Sequence, residues 1–388
     1  MTPLLLLLGC EPPAAAPNIL VVSIDTLRAD RLGKLDTHGR SLTPNLDALA
    51  AGAATFTAAY SAANETLYAH AALFTGQLPS RLGGGDPAHF SIAGQPTLAS
   101  VLRGAGYRTE AVVAGGHLAP EFGLGVGFDR YASGRDFGSF QQTVPLAITR
   151  LDSLGASGQP WLLFVHGYDV HAPYVTGGPL FSSETPGYDG PLAGASLVPW
   201  TFETLLGDSR YPGFTPAAVD RSAAPGAPDP LAAWAAAHPE EALPLVPADV
   251  AFLRGQYDAA ARQADFHVGV LLEALHARDP EDNTVVVVLS DHGEDLLDHG
   301  RVGHRHSLTD ETLHVPLLVR APGVVAGRTD TLVSLLDVFP TLAALAGAPR
   351  AEGASLFAPD PDRSVISESA AGERSVRTAQ GRHHEAAP

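Results

Sequence analysis

Two aspartates stand just after apolar segments of the sequence, and the second has a histidine beside it. Asp25 follows the segment 18–24, while Asp291 and His292 follow the segment 284–289 after one serine. Carboxylate oxygens and an imidazole nitrogen together suit a divalent cation. A single aspartate at a strand end is more often a turn or helix cap, but the repeated pattern, with a histidine at one strand end, favours a metal site.

These residues need a scaffold that brings distant segments together, and the hydrophobic pattern predicts one. A strand covered on both faces reads as a nearly continuous apolar run, and several such runs alternate with helical patterns. This order is typical of βαβ units and a doubly wound parallel sheet of the α/β class, whose ligands bind outside the carboxyl ends of the strands. The predicted strands are 18–24, 107–113, 161–165, 284–289 and 314–320, and the predicted helices are 43–50, 97–106, 251–277 and 334–346.

Length and composition limit the classes of protein. The 388 residues allow two or three domains or one large α/β domain, and 45% hydrophobic with 17% charged residues indicates a globular chain. The formal net charge of −18 argues against nucleic-acid binding, which needs a basic surface, and against adhesion to an anionic membrane by charge. The single cysteine, Cys10, excludes an intramolecular disulfide and a cysteine-based zinc site.

The amino-terminal sequence MTPLLLLLGC resembles the lipobox of bacterial lipoproteins, in which the cysteine is lipidated and becomes the mature N-terminus. The resemblance implies a lipid anchor at Cys10 and a place in the cell envelope, on the periplasmic face. A frayed apolar tail is the alternative, because no basic residue precedes the leucines, which are too few to span a bilayer. The chain divides into a signal and tether, 1–17, a main domain, 18–348, with a Pro- and Gly-rich insertion at about 176–249, and a short carboxyl-terminal segment, 349–388.

Seven segments, taken in order, resemble the successive motifs of the sulfatase family, within the alkaline phosphatase superfamily. Each motif is weak alone, but their order over about residues 17–364 makes the resemblance specific for fold and superfamily. The segments are 18–30, 43–50, 66–76, 171–174, 283–294, 303–320 and 331–347.

The resemblance implies an alkaline-phosphatase-like fold: a mixed, mainly parallel sheet sandwiched between helices, with a carboxyl-terminal subdomain that is short or truncated. It also implies one divalent metal ion (Ca, Mn, Mg or Zn) and a small-molecule, glycan or lipid substrate that carries a sulfate or phosphate ester. Many relatives have a second acidic ligand directly after the first aspartate, where this chain has Thr26. The loss of one carboxylate favours Mn or Zn over Ca.

A threonine stands at the nucleophile position of the family. True sulfatases carry a Cys or Ser there, oxidised to formylglycine, whereas this chain has Thr66 at that position and His70 at the position of the motif arginine. A bacterial subgroup with Thr-Leu-Pro-Ser-His is similar, although Tyr68 and Ala69 replace its Pro-Ser. The residues implied are Asp25, Thr66, Asp291 and His292 for the metal, and Thr66, His70, His171 and His304 for catalysis.

A threonine hydroxyl is a weak nucleophile unless a metal or base lowers its pKa. Activated in that way, Thr66 would attack phosphorus or sulfur and form a covalent ester, while His171 or His304 would hold the non-bridging oxygens or protonate the leaving group. A phosphothreonine is hydrolysed by attack at phosphorus, but a sulfothreonine cannot use the elimination open to a formylglycine hydrate. The chemistry therefore favours phosphorus esters and the family name favours sulfate esters. Thr66 is also a candidate helix cap.

Three histidines in the segment 299–306 have the spacing of a possible second metal site, but the resemblance assigns an anion-binding role to His304. His306 is the second choice for that role, and His299 is expected to face solvent. For the whole protein two other functions stay open. One is a transferase of a phospho-group, of the phosphoglycerol type, in the cell envelope, and the other is a non-catalytic binding protein with the same pocket.

Overall fold

The computed structural model describes residues 16–84, 89–134, 137–174, 185, 187–189, 247–279, 282–299, 302–349 and 353–385. The lipobox-like segment and most of the predicted insertion lie outside these residues. The strands are β1 (Asn18–Ile24), β2 (Ala54–Phe56), β3 (Ala59–Tyr60), β4 (Arg108–Val113), β5 (Arg130–Ser133), β6 (Trp161–Gly167), β7 (Thr284–Leu289), β8 (Asp295–Leu296), β9 (Val302–Gly303), β10 (Leu317–Arg320), β11 (Gly327–Thr329), β12 (Val333–Ser334), β13 (Val365–Glu368), β14 (Arg374–Thr378) and β15 (Gly381–Glu385). The α-helices are α1 (Pro44–Ala51), α2 (Thr66–Thr75), α3 (Leu98–Gly104), α4 (Phe140–Gly155), α5 (Pro247–His276), α6 (Asp310–Leu313) and α7 (Val338–Leu345).

An eight-stranded sheet in the order β11-β2-β10-β7-β1-β6-β4-β5 forms the centre of the protein. Its strands pair in parallel except at β10, which is antiparallel to both of its neighbours. The expected mixed, mainly parallel sheet of an α/β fold is therefore confirmed. Ser23 of β1 is level with His166 of β6 on one side and with Leu289 of β7 on the other. Because these three strands are parallel and in register, the residues that follow them meet at one edge of the sheet.

Side chains of the central strands alternate between two buried layers. Leu20 and Val22 of β1 pack in the layer that contains α4 and α5, whereas Ile19 and Val21 pack in the layer that contains α2, α3 and α7. A strand covered on both faces needs apolar residues at consecutive positions, so this arrangement explains the nearly unbroken apolar run of β1. Burial of each such side chain contributes about 1.5–3 kcal/mol before the entropy cost of folding.

Helix α2 lies wholly in the interior, and its first residue is Thr66. The N-cap is Glu65, with an extended backbone and no capping hydrogen bond from its side chain, so Thr66 is inside the helix rather than its cap. The helix ends at Gly76, whose φ of 68° favours glycine. A Cβ there would lie 3.2 Å from the ring of Phe339, so this glycine also lets α7 pack closely.

The carboxyl-terminal segment forms a three-stranded antiparallel sheet, β13-β14-β15. It joins the main domain through β13, where the Ser367 hydroxyl donates to the Ser61 carbonyl at 2.6 Å and the Glu368 amide donates to the Ala62 carbonyl at 2.9 Å. The short carboxyl-terminal segment thus folds as a small sheet of its own. In the described part of the chain, no helix has the length and apolar character that a bilayer crossing requires.

Candidate metal and ester-binding site

Three ionisable side chains meet at the carboxyl edge of the central sheet. Asp25 follows β1, Asp291 and His292 follow β7, and one ligand atom from each lies within 4.8 Å of the others. All three side chains are completely buried. The hydroxyl of Thr66 joins them, with its Oγ1 3.2 Å from Asp25 Oδ2 and 3.3 Å from His292 Nε2. The structure therefore brings the four residues expected at the metal into one neighbourhood.

The carboxylates of this cluster fit a divalent cation. Oδ1 of Asp25 and Oδ2 of Asp291 are buried, and neither has a hydrogen-bond partner among the described residues. A buried carboxylate oxygen without a hydrogen bond is costly, and burial together with the nearby Asp25 raises the pKa of Asp291. The His292 Nδ1–H donates to the carbonyl of Gly293 at 2.9 Å, which leaves the Nε2 lone pair directed to the cluster. Two carboxylates and one imidazole are thus arranged as metal ligands.

The backbone at Thr26 is in the left-handed region, with φ of 57°. For a β-branched residue this conformation costs about 1–3 kcal/mol and is concentrated at functional sites. It directs the Thr26 amide to Asp291 Oδ1 at 3.2 Å, while the hydroxyl donates to the carbonyl of Asp25 at 2.8 Å. The Tyr257 hydroxyl holds the Thr26 carbonyl at 2.6 Å. Thr26 therefore links the two aspartates: its amide bonds the Asp291 side chain, and its hydroxyl bonds the Asp25 carbonyl.

His304 and His171 extend the site away from the carboxylates. The His304 Nδ1 lies 2.8 Å from Glu294 Oε1, and the Tyr174 hydroxyl donates to the other oxygen of Glu294 at 3.1 Å. Burial and the neighbouring His292 and His171 lower the pKa of His304. The ring centroids of His304 and His171 are 5.2 Å apart, and those of His304 and His292 are 4.3 Å apart. These three imidazoles form a row that begins at Thr66.

His70 belongs to α2, one turn after Thr66, and its ring contacts β1. Its Nδ1–H donates to the Thr66 carbonyl at 2.8 Å, and its Nε2 accepts from the Ser23 hydroxyl at 3.0 Å. The same Nδ1 is 3.4 Å from Asp291 Oδ2. Burial lowers the pKa of His70 to about 4, so the ring is neutral near pH 7. Both nitrogens of His70 are therefore used inside the protein.

Sequence reasoning missed two further histidines and one glutamate. His166, the second-last residue of β6, has its Nε2 3.2 Å from Asp25 Oδ2, and burial lowers its pKa to about 4. His117 lies in a short 3₁₀ turn after β4, and its pKa is lowered to about 4 by burial, Arg305 and nearby histidines. Glu294 is the partner of His304. The sequence did contain one signal for His166, because it follows an apolar run just as Asp25 does.

The histidines of the segment 299–306 do not form a second metal site. His299 is half exposed, and its bond to Glu311 at 2.8 Å raises its pKa, whereas His306 faces Asp295 at 3.7 Å. In the part of the chain that the structure describes, the Asp25 cluster is the only group of three such side chains close enough to share an ion. The alternative of a second metal site in this segment therefore has no cluster of ligands behind it among the described residues.

Comparison with known sequences connects this geometry to one family. The family description "Sulfatase" matches residues 17–348. Arylsulfatase K of Homo sapiens is 38% identical over 98 residues, which are 25% of this chain and 18% of the human protein. Arylsulfatase K of Danio rerio is 38% identical over 104 residues, 26% of this chain and 20% of the fish protein. These matches span about a fifth of the relatives' own length.

Solved structures align with nearly the whole chain. A phosphonate monoester hydrolase of Agrobacterium radiobacter has a TM-score of 0.69 at 19% identity, covering 95% of this chain and 87% of that one. A protein in the alkaline phosphatase superfamily from Vibrio parahaemolyticus has a TM-score of 0.65 at 17% identity, covering 96% and 78%. A 2-O GAG sulfatase has a TM-score of 0.65 at 19% identity, covering 95% and 83%. These alignments establish the alkaline-phosphatase-like fold.

Proposed function

The chain belongs to the sulfatase family, and from this membership we propose that it is a metal-dependent hydrolase of sulfate or phosphate esters with Thr66 as its nucleophile. One observation carries the proposal: Thr66 Oγ1 lies within 3.3 Å of both Asp25 Oδ2 and His292 Nε2, at the first residue of a buried helix. A hydroxyl held against a carboxylate and an imidazole at a helix N-terminus is well placed to act on an anion.

Asp25, Asp291 and His292 would hold the divalent ion in this proposal. When bound, the ion would lower the pKa of the Thr66 hydroxyl and neutralise part of the negative charge of the ester. One oxygen of each aspartate has no hydrogen bond among the described residues, and this supports the assignment, because a buried carboxylate oxygen without a hydrogen bond is otherwise unfavourable. Carboxylate and imidazole ligands suit Mn or Zn better than Ca.

The residues around Thr66 account for the movement of each proton. Oγ1 of Thr66 forms a bond to phosphorus or sulfur, the ester bond to the leaving oxygen breaks, and the Thr66 proton passes to Asp25 Oδ2, its present acceptor. In this scheme the pair His171 and His304 carries one additional proton when the ester is bound, because the negative charges of the ester and of Glu294 favour an imidazolium. The leaving oxygen takes that proton. Water then attacks the same atom, the histidine pair regains a proton from that water, and Thr66 regains its own.

His70 and His166 position the reacting groups in this scheme rather than touch the ester. His70 fixes the first turn of α2 through the Thr66 carbonyl, and His166 donates to the Asp25 carboxylate. Because both nitrogens of His70 are bonded within the protein, we replace its expected catalytic role with a positioning role. We expect H70Q to lower kcat while KM stays within a few-fold; a rise in KM alone would instead indicate contact with substrate.

The chemistry favours phosphorus esters, because a covalent phosphothreonine is open to attack by water. The names of the relatives favour sulfate and phosphonate esters, since they include an arylsulfatase, a 2-O GAG sulfatase and a phosphonate monoester hydrolase. A glycan or other small-molecule ester is therefore the proposed substrate.

A panel of substrates tests the proposal. Aryl sulfate, aryl phosphate, phosphodiester and phosphonate monoester substrates are each assayed with Mn, Zn, Ca or Mg, using the wild-type protein, T66A and T149A. Thr149 lies on the exposed face of α4, where its hydroxyl bonds only the Pro145 carbonyl in the same helix, so T149A is the matched control. We expect metal-dependent turnover of at least one ester class, lost in T66A and kept in T149A. No turnover of any ester by the metal-loaded wild type would contradict the proposal.

The lipobox-like segment extends the proposal to location: we place the protein at the cell envelope, anchored by a lipid on Cys10. Its support is the Leu-Leu-Gly-Cys sequence. Cells fed a labelled fatty acid should label the wild-type protein and leave C10S unlabelled, and equal labelling of both proteins would contradict the anchor.

A further inference from the structure

A cluster of aromatic rings adjoins the row of site histidines. The ring centroid of Phe137 is 4.8 Å from that of Tyr168, 5.8 Å from that of His117 and 5.9 Å from that of His171. We call Phe137, Tyr168 and His117 the aromatic wall. Within the wall, Tyr168 is buried beneath Phe137, whereas Phe137 keeps 46% of its surface exposed. The wall thus presents one phenyl ring to solvent beside His171.

This wall is continuous with the reacting hydroxyl. Thr66 Oγ1 is 3.3 Å from His292 Nε2, the His292 and His304 ring centroids are 4.3 Å apart, and the His304 and His171 centroids are 5.2 Å apart. Phe137 follows as the next ring in this row. An ester held by its anionic end at Thr66 and by its oxygens at His171 would therefore extend its leaving group toward Phe137.

Backbone hydrogen bonds hold the wall in place before any ligand arrives. The Tyr168 amide donates to the Gly138 carbonyl at 2.9 Å, and the Gly138 amide donates to the Ala114 carbonyl at 2.9 Å. The Tyr168 hydroxyl accepts from the His117 amide at 3.1 Å. The residue after Phe137 is therefore tied to the residues that directly follow β4 and β6. A rigid aromatic surface loses little entropy on binding.

Glycine at position 116 is needed for the wall to assemble. Its φ is 57°, and a Cβ there would lie 2.8 Å from the ring of Phe137 and 3.0 Å from the hydroxyl of Tyr168. Any side chain would push the phenyl ring away from Tyr168. The close packing of the two rings thus depends on the absence of a side chain at Gly116.

Resting on the proposed function, we propose that Phe137 stacks on the leaving group of the ester, so that the site selects esters of a ring with a flat apolar face, an aryl or a pyranose ring. A partly exposed phenyl ring supported by a second aromatic ring offers one face for offset stacking. A flexible alkyl group gains less from one flat face, because it must also lose rotamer freedom. Phe137 is accordingly a specificity-determining residue.

Unreactive analogues test the stacking separately from turnover. The wild-type protein, loaded with Mn, is titrated calorimetrically with methylphosphonate, phenylphosphonate and glucopyranosylphosphonate, and in parallel with methanesulfonate and benzenesulfonate. Within each series the anion is the same, so the ratio of Kd values isolates the ring. We expect at least one ring to bind about tenfold more tightly than the methyl compound.

Four variants complete the test. F137A should reduce the ring-to-methyl ratio to about two, and F137Y or F137W should retain it. F266A is the matched control, because Phe266 is 49% exposed and packs beside His267 on α5. A ratio near one in the wild type, or a ratio unchanged by F137A, would overturn the stacking while leaving the hydrolase intact. Binding of none of the five compounds would instead contradict the anion site and with it the proposed function. Whether the phenyl or the pyranosyl compound loses affinity in F137A identifies the ring.

Discussion

The Thr66 hydroxyl lies 3.2 Å from Oδ2 of Asp25, although 41 residues separate the two along the chain. Thr66 begins a buried helix and Asp25 directly follows strand β1 of the central sheet, so the packing of α2 on β1 fixes the distance. His70 reinforces this relationship, because its ring bonds Ser23 of the strand and the Thr66 carbonyl of the helix. Because Thr66 is on a rigid helix that is bonded to a rigid strand, its hydroxyl is positioned before substrate binds.

Removal of the Thr66 hydroxyl should abolish turnover without emptying the metal site. For T66A we expect kcat to fall by at least about 10³-fold, because the covalent step loses its nucleophile. The metal Kd should stay within a few-fold, since Asp25, Asp291 and His292 remain. T66S should retain measurable turnover, and T149A should match the wild type. Undiminished turnover in T66A would assign the attack to water or to another residue.

Asp291→Ala should abolish metal binding. The side chain is one of only two carboxylates in the cluster, and the ion would be left with Asp25 and His292. We expect calorimetric titration to give one equivalent of bound metal for the wild type and none for the variant. Saturating metal should also raise the unfolding temperature of the wild type but not that of Asp291→Ala, since a ligand at a hundred times its Kd stabilises by about 2.7 kcal/mol.

The control for Asp291→Ala is D152A, which removes an exposed carboxylate that is paired with Arg278 on the surface. It should bind one equivalent of metal and show the wild-type increase in unfolding temperature. One equivalent of metal in Asp291→Ala would show that the ligand set is wrong, whatever the activity of that variant.

The sequence predicted the fold and the meeting of distant residues, but not the neighbours that support them. Apolar runs located β1, β6 and β7, and the ordered motifs placed Thr66 with the two aspartates. The sequence does not give the order of strands across the sheet. That order sets His166 beside Asp25, because β6 pairs directly with β1.

Residues in irregular segments were the hardest to predict. His117 lies in a 3₁₀ turn and Phe137 in a loop, where no periodicity indicates what a side chain faces. The left-handed conformation of Thr26 is equally invisible, because a β-branched residue ordinarily avoids it. The carboxyl-terminal strands were missed because their alternation of polar and apolar residues is weak and their sheet is small.

Glu294 should be required for the proton transfers of His304. Its carboxylate bonds the His304 Nδ1 at 2.8 Å and so fixes the ring orientation and the tautomer with Nε2 directed outward. For E294Q we expect kcat to fall about 10- to 100-fold with little change in KM, because the glutamine can hold the ring but stabilises its charge less.

Glu311→Gln is the matched control for E294Q, since Glu311 also bonds a histidine, His299, but at the half-exposed edge of the segment. This variant should keep the wild-type kcat. A loss of activity equal to that of E294Q would mean that the whole segment, rather than the His304 pair, limits the reaction.

Asp169 should make the unfolding free energy depend on pH in a direction opposite to that of most carboxylates. It is buried just after β6, against the first residue of α4, where it accepts from the backbone amide of Phe140 at 2.7 Å and from the side-chain amide of Gln263 at 3.3 Å. Burial raises its pKa from 3.8 to about 6, which outweighs these bonds. Between those two values the folded protein binds a proton that the unfolded chain does not, so the unfolding free energy falls as pH rises through this window.

Asp169→Asn removes this titration while one oxygen remains for the Phe140 amide. The unfolding free energy of D169N minus that of the wild type should therefore increase from pH 4 to pH 6, by up to about 3 kcal/mol, and level off above that. Urea unfolding of the metal-free proteins at several pH values measures the difference, and any constant loss from a weaker bond to Gln263 cancels in its slope. D152N should show no such increase, because the bond to Arg278 lowers the pKa of Asp152. A difference that is flat or falls with pH would mean that the Asp169 carboxylate is charged in the folded protein throughout, and that its amide partners outweigh its burial.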